Sequence, residues 1–211
     1  MSNAIYTIGH STHSSEHFVQ LLKKHSITAV CDVRSKPYSR MNPQFNRESL
    51  KETLASSGIK YVFLGKELGA RTEDRSCYCD GKVQYELLAK TDLFKKGIDR
   101  VKKGADEYRV ALMCAEKEPL DCHRTILVSR ILSGDGVPIR HILGDGTLEE
   151  HSHALKRLIT MLKVPSADMF RSEEVAIEDA YVQQGHQIAY QEQPASGSSS
   201  QAQYDESGAA E

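Results

Sequence analysis

The residues whose side chains are best suited to binding or catalysis follow a short apolar run near the middle of the chain. Residues 110–113 are apolar and too few for a helix, so they predict a buried strand. Two thiols, a carboxylate, an imidazole and a guanidinium come soon after this strand: Cys114, Glu116, Cys122, His123 and Arg124. These groups can bind an anion, transfer a proton, attack an electrophile or ligate a metal, so the stretch predicts a functional site.

The local backbone is expected to place three of these residues at the start of a helix. Pro119 biases the residue before it away from helix and predicts a loop. Asp121 is a suitable N-cap, and apolar residues then recur at helical spacing as far as Gly134. Residues 122–124 would therefore lie in the first turn, where free backbone N–H groups and the helix dipole attract anions.

Cationic side chains near the ends of predicted strands indicate an anion site. The candidates are Arg34, Lys36, Arg40, Arg71 and Arg124. Guanidinium groups can bind a phosphate through two parallel hydrogen bonds, and Arg124 is also expected at a helix start. The alternative is that some of these cations form structural ion pairs with nearby carboxylates such as Asp32 or Glu116.

Proton transfer and nucleophilic attack are further interpretations. Glu116 and His10 are expected at the same edge of the fold, and a carboxylate beside an imidazole is a common proton-handling pair. His10 could instead hydrogen-bond to backbone groups at a strand end. Cys122, beside His123 at a helix start, should have a lowered pKa, which favours the reactive thiolate. Inert buried thiols are nevertheless the usual state of intracellular cysteines, and the sequence has no Cys-x5-Arg loop.

A metal site is the remaining alternative for these residues. Cys114, Cys122, His123 and His10 could form a tetrahedral set, and residues 77–79 carry a second pair of thiols. Neither spacing is the Cys-x2-Cys pair that is typical of zinc sites. The sequence alone therefore assigns no metal ligand and leaves the cofactor unknown.

The elements that must position these residues alternate between strand and helix. Five strands are predicted, over residues 4–8, 27–33, 59–64, 110–113 and 137–143, with helices between them and a last helix over residues 148–163. This alternation predicts one three-layer α/β domain, residues 1–163, with a mostly parallel five-stranded sheet and helices on both faces. Ligands bind such sheets beyond the carboxyl ends of the strands, where the candidate residues are expected.

The end of the chain has a different composition. From residue 164 the sequence becomes polar, and residues 196–200 are of low complexity. Such composition predicts a disordered, flexible tail over residues 164–211, within which residues 171–184 could form an isolated helix.

Composition and charge exclude several classes of protein. The 211 residues carry a formal net charge of −2, so a broadly basic surface that covers nucleic acid is excluded, although a local basic site is not. No apolar run reaches the length of about 18 residues that a membrane span requires. The sequence begins without the pattern of a signal peptide, and its odd number of cysteines, five, indicates a reducing cytoplasm.

Four separated stretches resemble a known family. They are TIGHS (residues 7–11), DVRSKPYSR (32–40), LGKELGAR (64–71) and LMCAEKEPLDCHR (112–124). Across residues 4–163, in this order, they are similar to the bacterial and archaeal domain-of-unknown-function family 488. The resemblance implies a compact α/β domain with a site at the sheet edge and no settled activity. The positions that it carries over are His10, Asp32, Arg34, Pro37, Gly65, Leu68, Gly69, Cys114, Glu116, Cys122, His123 and Arg124.

The leading hypothesis is an enzyme that acts on a phosphate-bearing substrate, a nucleotide or a nucleic acid, by acid–base hydrolysis or transfer. Its site residues are Arg34, Arg71 and Arg124 for the anion, Glu116, His10, Cys122 and His123 for catalysis, and Asp32 and Cys114 in support. One alternative is a non-catalytic module that senses an anion or nucleotide, or binds a partner. The other is a metal-binding protein that uses Cys114, Cys122 and His123. A dinucleotide or P-loop site is disfavoured because no glycine-rich phosphate motif is present.

Overall fold

The structure is a computed structural model that describes residues 3–165 and 172–192. Its strands are β1 (Ile5–Gly9), β2 (Ala29–Asp32), β3 (Lys60–Phe63), β4 (Tyr78–Cys79), β5 (Lys82–Val83), β6 (Val110–Cys114), β7 (Ile139–Ile142) and β8 (Leu148–Glu150). Its helices are α1 (Ser15–Lys24), α2 (Arg47–Ser56), α3 (Gly65–Leu68), α4 (Tyr85–Lys90), α5 (Asp92–Glu107), α6 (Arg130–Gly134), α7 (His151–Leu162) and α8 (Glu173–Ile188). No helix among the described residues is long and apolar enough to cross a membrane.

The main sheet confirms the predicted α/β class and its mostly parallel strands. Its order is β3-β2-β6-β1-β7-β8, and only β8 runs antiparallel to its neighbour. The central strands β1 and β6 are buried along their whole length, as expected for strands covered by helices on both faces. The short strands β4 and β5 pair separately as a hairpin.

The sheet has six strands where the sequence predicts five. Leu148, predicted to begin the last helix, instead pairs with Ile142 as part of β8, and α7 begins only at His151. The reversal is a tight turn in which Gly146 has a φ of 77° and the Asp145 carboxylate accepts a hydrogen bond from the Thr147 backbone. Because this strand is only three residues long, it has no period-two pattern that could reveal it.

Two apolar clusters lie on the two faces of the sheet. Side chains alternate along β6, so that Leu112 and Cys114 join one cluster while Ala111 and Met113 join the other. The first cluster includes residues of α5, α7 and α8, and the second includes residues of α1 and α2. The prediction of helices on both faces is therefore confirmed.

Part of the predicted tail is helical and packed. α8 buries Ala176, Ala180, Tyr181 and Gln184, and the Gln184 side-chain amide donates a hydrogen bond to the Leu120 carbonyl at 2.9 Å. The predicted tail is therefore ordered over this helix, which overlaps the isolated helix that the sequence allows at residues 171–184 and packs on the domain. The low-complexity run at 196–200 lies outside the described residues.

The segment between β6 and α6 differs from the predicted helix. Pro119–Asp121 form a 3-10 turn, and Glu118, not Asp121, caps it by accepting a hydrogen bond from the Leu120 backbone. Cys122 is extended, with φ −137° and ψ 138°, and helical backbone begins at the next residue. The first turns, Arg124–Ser129, are a wide π-helix, a form that is rare and often found at functional sites.

Candidate functional site

The loops after β1 and β6 lie in direct contact at the carboxyl edge of the sheet. His10 and Ser11 donate backbone hydrogen bonds to the carbonyls of Cys114 and Ala115, both at 2.9 Å. A Cβ atom on Gly9 would lie 1.9 Å from the Glu116 carbonyl oxygen, so only glycine permits this approach. The two loops thereby form one side of a shared site.

Two cavities open at this edge. One has a volume of about 360 Å³ and is lined by Arg34, Ser35, Lys36, Tyr38, Ala70, Arg71, Tyr85, Cys114, Ala115, Glu116, Asp121, His123, Ile188 and Tyr190. The other has about 300 Å³ and is lined by His10, Ser11, Thr12, Arg34, Lys36, Tyr38, Ser39, Asn42 and Ala115. The shared residues, with Arg34 among them, form the wall between the two cavities.

Arg34 is held in this wall by a buried ion pair. Its guanidinium donates to both Asp32 carboxylate oxygens, at 2.9 Å and 2.7 Å, and to the Phe45 carbonyl at 2.8 Å. The Tyr61 hydroxyl donates to the same carboxylate at 2.8 Å. Asp32 therefore both orients Arg34 and balances its charge.

His10 also supports Arg34. Its Nδ1 donates to the Ser11 carbonyl at 2.9 Å, because a carbonyl can only accept, and its Nε2 accepts from Arg34 Nη1 at 3.1 Å. Burial, together with the charge of Arg34, lowers the pKa of His10 to about 4. The ring stacks on Phe45 with centroids 4.3 Å apart. The imidazole is therefore neutral, and its one lone pair accepts the hydrogen bond from Arg34. His10 thus helps to position the Arg34 guanidinium.

Cys122 lies at the helix start with its sulfur between two polar partners. Its Sγ accepts a hydrogen bond from the Arg124 backbone N–H at 3.4 Å and lies 3.0 Å from Glu116 Oε2, so that one proton can be shared between sulfur and carboxylate. The side chain is almost fully buried. Asp121, predicted as the N-cap of the following helix, does not make the capping contact. The Cys122 sulfur makes it instead, by accepting the hydrogen bond from the Arg124 backbone.

His123 faces both thiols. Its Nδ1 lies 3.7 Å from Cys114 Sγ and 3.9 Å from Cys122 Sγ, and its Nε2 lies 3.0 Å from the Val33 carbonyl. Since that carbonyl can only accept, Nε2 carries a proton and Nδ1 is the ring atom that faces the sulfurs. Burial disfavours the charged ring, but the hydrogen bond and the charge of Cys122 outweigh it and raise the pKa of His123. Within the described ranges, Cys114, Cys122 and His123 are the one group of at least three metal-type ligands, with ligand atoms within 4.8 Å of one another.

The two thiols have opposite electrostatic environments. Burial raises the pKa of Cys114 well above its usual value, and the neighbouring Cys122 adds to this effect. Burial alone would raise the pKa of Cys122, but the Cys114 hydrogen bond and the charges of Arg124 and His123 hold it well below its usual value. The pair therefore carries its first negative charge on Cys122. Burial also raises the pKa of Glu116, which lies beside that thiol.

Arg124 is placed differently from the prediction. Its side chain is fully buried and donates to the carbonyls of Glu116 and Lys117, at 2.8 Å and 3.2 Å. It lines neither cavity at the site. Arg124 therefore binds the backbone of the loop after β6 and is not directed at an anion in either cavity. This role depends on the geometry of the loop, which the sequence does not reveal.

Arg71 and Lys36 are the exposed cations of the larger cavity. Neither forms an ion pair in the part of the chain that the structure describes. The Arg71 guanidinium lies over the ring of Tyr190, 4.4 Å from its centroid, and its backbone N–H donates to Ser35 Oγ at 2.9 Å. Sequence reasoning missed Tyr190, because it lies in the segment that was predicted as a tail. The helical spacing of Ala176, Ala180 and Gln184 just before it was the available signal.

The second predicted pair of thiols does not form a ligand set. Cys77 is buried under the hairpin, whereas Cys79 is exposed and points its thiol at Asp80. All five cysteines of the chain are free.

The family model described as "Domain of unknown function DUF488" matches residues 14–131. The matched range is more than half of the chain and includes Asp32, Arg34, Arg71 and the cluster from Cys114 to Arg124, but neither His10 nor Tyr190. No curated protein and no solved structure matches the chain. The predicted family is thereby confirmed, and the chain belongs to the DUF488 family; three of the four stretches lie in the matched range, and TIGHS (residues 7–11) precedes it.

Proposed function

We propose that the protein is an enzyme that hydrolyses or transfers a phosphate-bearing substrate, a nucleotide or a nucleic acid, in the larger cavity. One observation carries the proposal: Lys36 and Arg71, which form no ion pair with the carboxylates of residues 3–165 and 172–192, line the same cavity as the carboxyl group of Glu116. Cations that gain no internal ion pair are available to an anionic ligand, and a nearby carboxyl group can transfer a proton.

Arg34 adds a directed donor to this arrangement. Of its five N–H groups, Nε and both on Nη2 are bound to Asp32 and Phe45, and one on Nη1 is bound to His10. One Nη1 N–H therefore remains for a ligand in the cavities that Arg34 lines. Because Asp32 balances its charge, Arg34 contributes orientation, while Lys36 and Arg71 contribute the net positive charge.

Proton transfer is assigned to Glu116 alone. His10 has no free lone pair, so it serves to hold Arg34. Glu116 lines the cavity and contacts Cys122, which gives its carboxyl group a neighbour with which to share a proton. The aromatic rings of Tyr38, Tyr85 and Tyr190 line the same cavity and offer surfaces for a base, which favours a nucleotide over a small inorganic anion.

The binding step is tested by titration calorimetry with inorganic phosphate and with nucleoside monophosphates. We expect the double variant Lys36→Ala/Arg71→Ala to bind at least tenfold more weakly. The matched control, Lys51→Ala/Lys103→Ala, removes the same charge from exposed positions that do not line the cavity, and it should bind like the wild type. Equal affinity of the two double variants would contradict the anion site.

The catalytic step is tested by phosphate or nucleotide release from a panel of nucleotides and short oligonucleotides. Loss of a general acid or base typically lowers turnover by about 10²- to 10⁴-fold, so Glu116→Gln should do so with binding retained. Undiminished turnover in Glu116→Gln would overturn its role. Binding without turnover by the wild type would instead support the non-catalytic sensing module.

A further inference from the structure

We propose that Cys114, Cys122 and His123 bind one zinc-type divalent metal ion at the wall of the larger cavity, with three protein ligands and a fourth position open to the cavity. The inference does not rest on the proposed phosphate chemistry. Two of the three ligands, Cys114 and His123, line that cavity, which provides a route for the ion.

The spacing of the ligand atoms suits such an ion. Zinc lies about 2.3 Å from sulfur and about 2.0–2.1 Å from imidazole nitrogen, so tetrahedral coordination separates the two ligand atoms by roughly 3.6 Å. The two sulfur–Nδ1 distances here are 3.7 Å and 3.9 Å. These two distances need shifts of only a few tenths of an ångström. The two sulfurs lie within 4.8 Å of each other, against about 3.8 Å in a tetrahedral site, so that pair closes by at most about 1 Å on binding.

The orientation of His123 is the independent observation that points to a ligand. Metal-binding histidines almost always donate their other ring N–H to a carbonyl or carboxylate, which turns the free nitrogen toward the metal. His123 Nε2 does this with the Val33 carbonyl, at 3.0 Å. Its Nδ1 is thereby aimed at two sulfurs inside a buried cluster, where the neutral ring offers its lone pair.

Among the described residues, no lysine or arginine side chain forms a hydrogen bond with the sulfur of Cys114 or Cys122. The Arg124 guanidinium, the nearest buried cation in sequence, is bound to the carbonyls of Glu116 and Lys117. Only the Arg124 backbone N–H reaches Cys122 Sγ. A divalent ion would neutralise both thiolates, and soft sulfur with imidazole selects zinc-type metals over magnesium or calcium.

The fourth position is assigned to water or ligand. His10, the fourth ligand considered from the sequence, is excluded because both of its nitrogens are engaged with Ser11 and Arg34. Glu116 Oε2 lies 3.0 Å from Cys122 Sγ, beside the ligand group but not within it. Catalytic zinc sites in other enzymes commonly have three protein ligands and an adjacent carboxylate. In those sites the carboxylate takes a proton from the zinc-bound water.

The test is a titration of the reduced full-length protein with Co²⁺ and then Zn²⁺, without any phosphate. Co²⁺ should bind one per chain with the strong absorption of tetrahedral thiolate coordination, and Zn²⁺ should abolish that absorption by displacement. Cys114→Ser, Cys122→Ser and His123→Asn should each weaken binding at least tenfold, whereas Cys79→Ser, which changes an exposed thiol, should have no effect.

A second measurement needs no variant. X-ray absorption of the zinc-loaded wild type should show two sulfur ligands, with the remainder nitrogen or oxygen. The proposal is overturned if the reduced protein binds no ion, if the sulfur number differs from two, or if folded Cys122→Ser binds like the wild type. None of these results would alter the phosphate titration, so failure of the metal site and failure of the proposed function are distinguishable.

Discussion

At the residue scale, the geometry around Arg34 follows from which atoms can only donate and which can only accept. A guanidinium has five donors and no acceptor, so it must take the lone pair of His10 and the oxygens of Asp32. The neutral state of His10 is a consequence of this contact together with burial. Burial and the contact with Arg34 thus together set the protonation of His10, and the contact sets its role.

The ion pair of Asp32 with Arg34 supports a first prediction. Asp32 is fully buried and Arg34 nearly so, so Asp32→Asn would leave a buried guanidinium without its counter-charge. Removing one partner of a buried pair typically costs about 3–5 kcal/mol, and we expect a loss of that size in the free energy of unfolding. Urea denaturation at neutral pH measures it.

The matched control for this prediction is Asp135→Asn. Asp135 pairs with Lys102 at the surface, where both side chains are more than a third exposed. Such a pair contributes less than about 1 kcal/mol. Equal losses for the two variants would mean that water reaches Arg34 and that its charge does not depend on Asp32.

At the element scale, the segment after β6 brings the thiols together. β6 ends at Cys114, and the chain then makes one 3-10 turn, passes through the extended Cys122 and enters the wide π-helix at Arg124. The Ser129 hydroxyl donates to the Arg124 carbonyl, five residues earlier, at 2.7 Å, a contact that spans the wide turn. A regular helix capped at Asp121 would have placed Cys122 within its first turn instead of at its cap. The irregular start is therefore part of the site.

A buried polar chain joins four elements and supports a second prediction, on pH. Thr7 Oγ1, the rings of His141 and His151, and the Tyr181 hydroxyl are linked by hydrogen bonds of 2.8, 2.9 and 2.7 Å, from β1 through β7 and α7 to α8. Burial lowers the pKa of His141 to about 2 and that of His151 to about 4. Both rings are therefore neutral in the folded protein above pH 4.

The sign of the pH effect follows from these depressed values. Below the usual histidine pKa of 6.5, the unfolded chain takes up protons that the folded chain cannot, so stability is complete above pH 6.5 and falls toward pH 4. These two sites contribute up to roughly 2.7 kcal/mol per pH unit, and His10, whose pKa is also lowered to about 4, adds a third contribution. Urea denaturation between pH 7.5 and pH 4.5 should show the summed slope. His141→Asn/His151→Gln should lower the slope to the part that His10 contributes, whereas exposed His153→Gln should leave it unchanged; an unchanged slope in the double variant would contradict the assignment.

At the scale of the whole molecule, the alternation of strand and helix was enough to predict the layered fold and the edge that carries the site. Two elements were not predicted as parts of the packed domain, β8 and α8. β8 is too short to show a period, and α8 buries small and polar residues, Ala176, Ala180 and Gln184, in place of an apolar stripe. Both elements are recognisable only once their partners, β7 and the π-helix, are in place.

The site was predictable in its residues more than in their roles. Cys114, Cys122 and His123 lie within ten residues of one another after a predicted strand, so their proximity could be predicted from the sequence. The places of His10 and Arg124 depend on hydrogen bonds to Ser11 and to the loop carbonyls after β6. Loop backbone geometry decides those contacts, and residue type alone cannot predict it.

The last prediction concerns α8, which lies outside the matched family range and yet contributes to the cavity wall through Ile188 and, just beyond it, Tyr190. Ala180 is almost fully buried against the domain, so Ala180→Arg would force a charged side chain into an apolar interface and detach the helix. We expect a loss of at least about 2 kcal/mol in the free energy of unfolding, with faster limited proteolysis within residues 172–192.

Detachment of α8 should also remove Tyr190 from Arg71 and open the cavity, so phosphate affinity should fall with stability if the proposed function holds. The control, Gln183→Arg, places the same new side chain on the exposed face of the same helix and should change neither quantity. If Ala180→Arg leaves proteolysis and stability like those of the control, α8 is not held by this interface. If stability falls and phosphate affinity does not, α8 supports the fold without shaping the site.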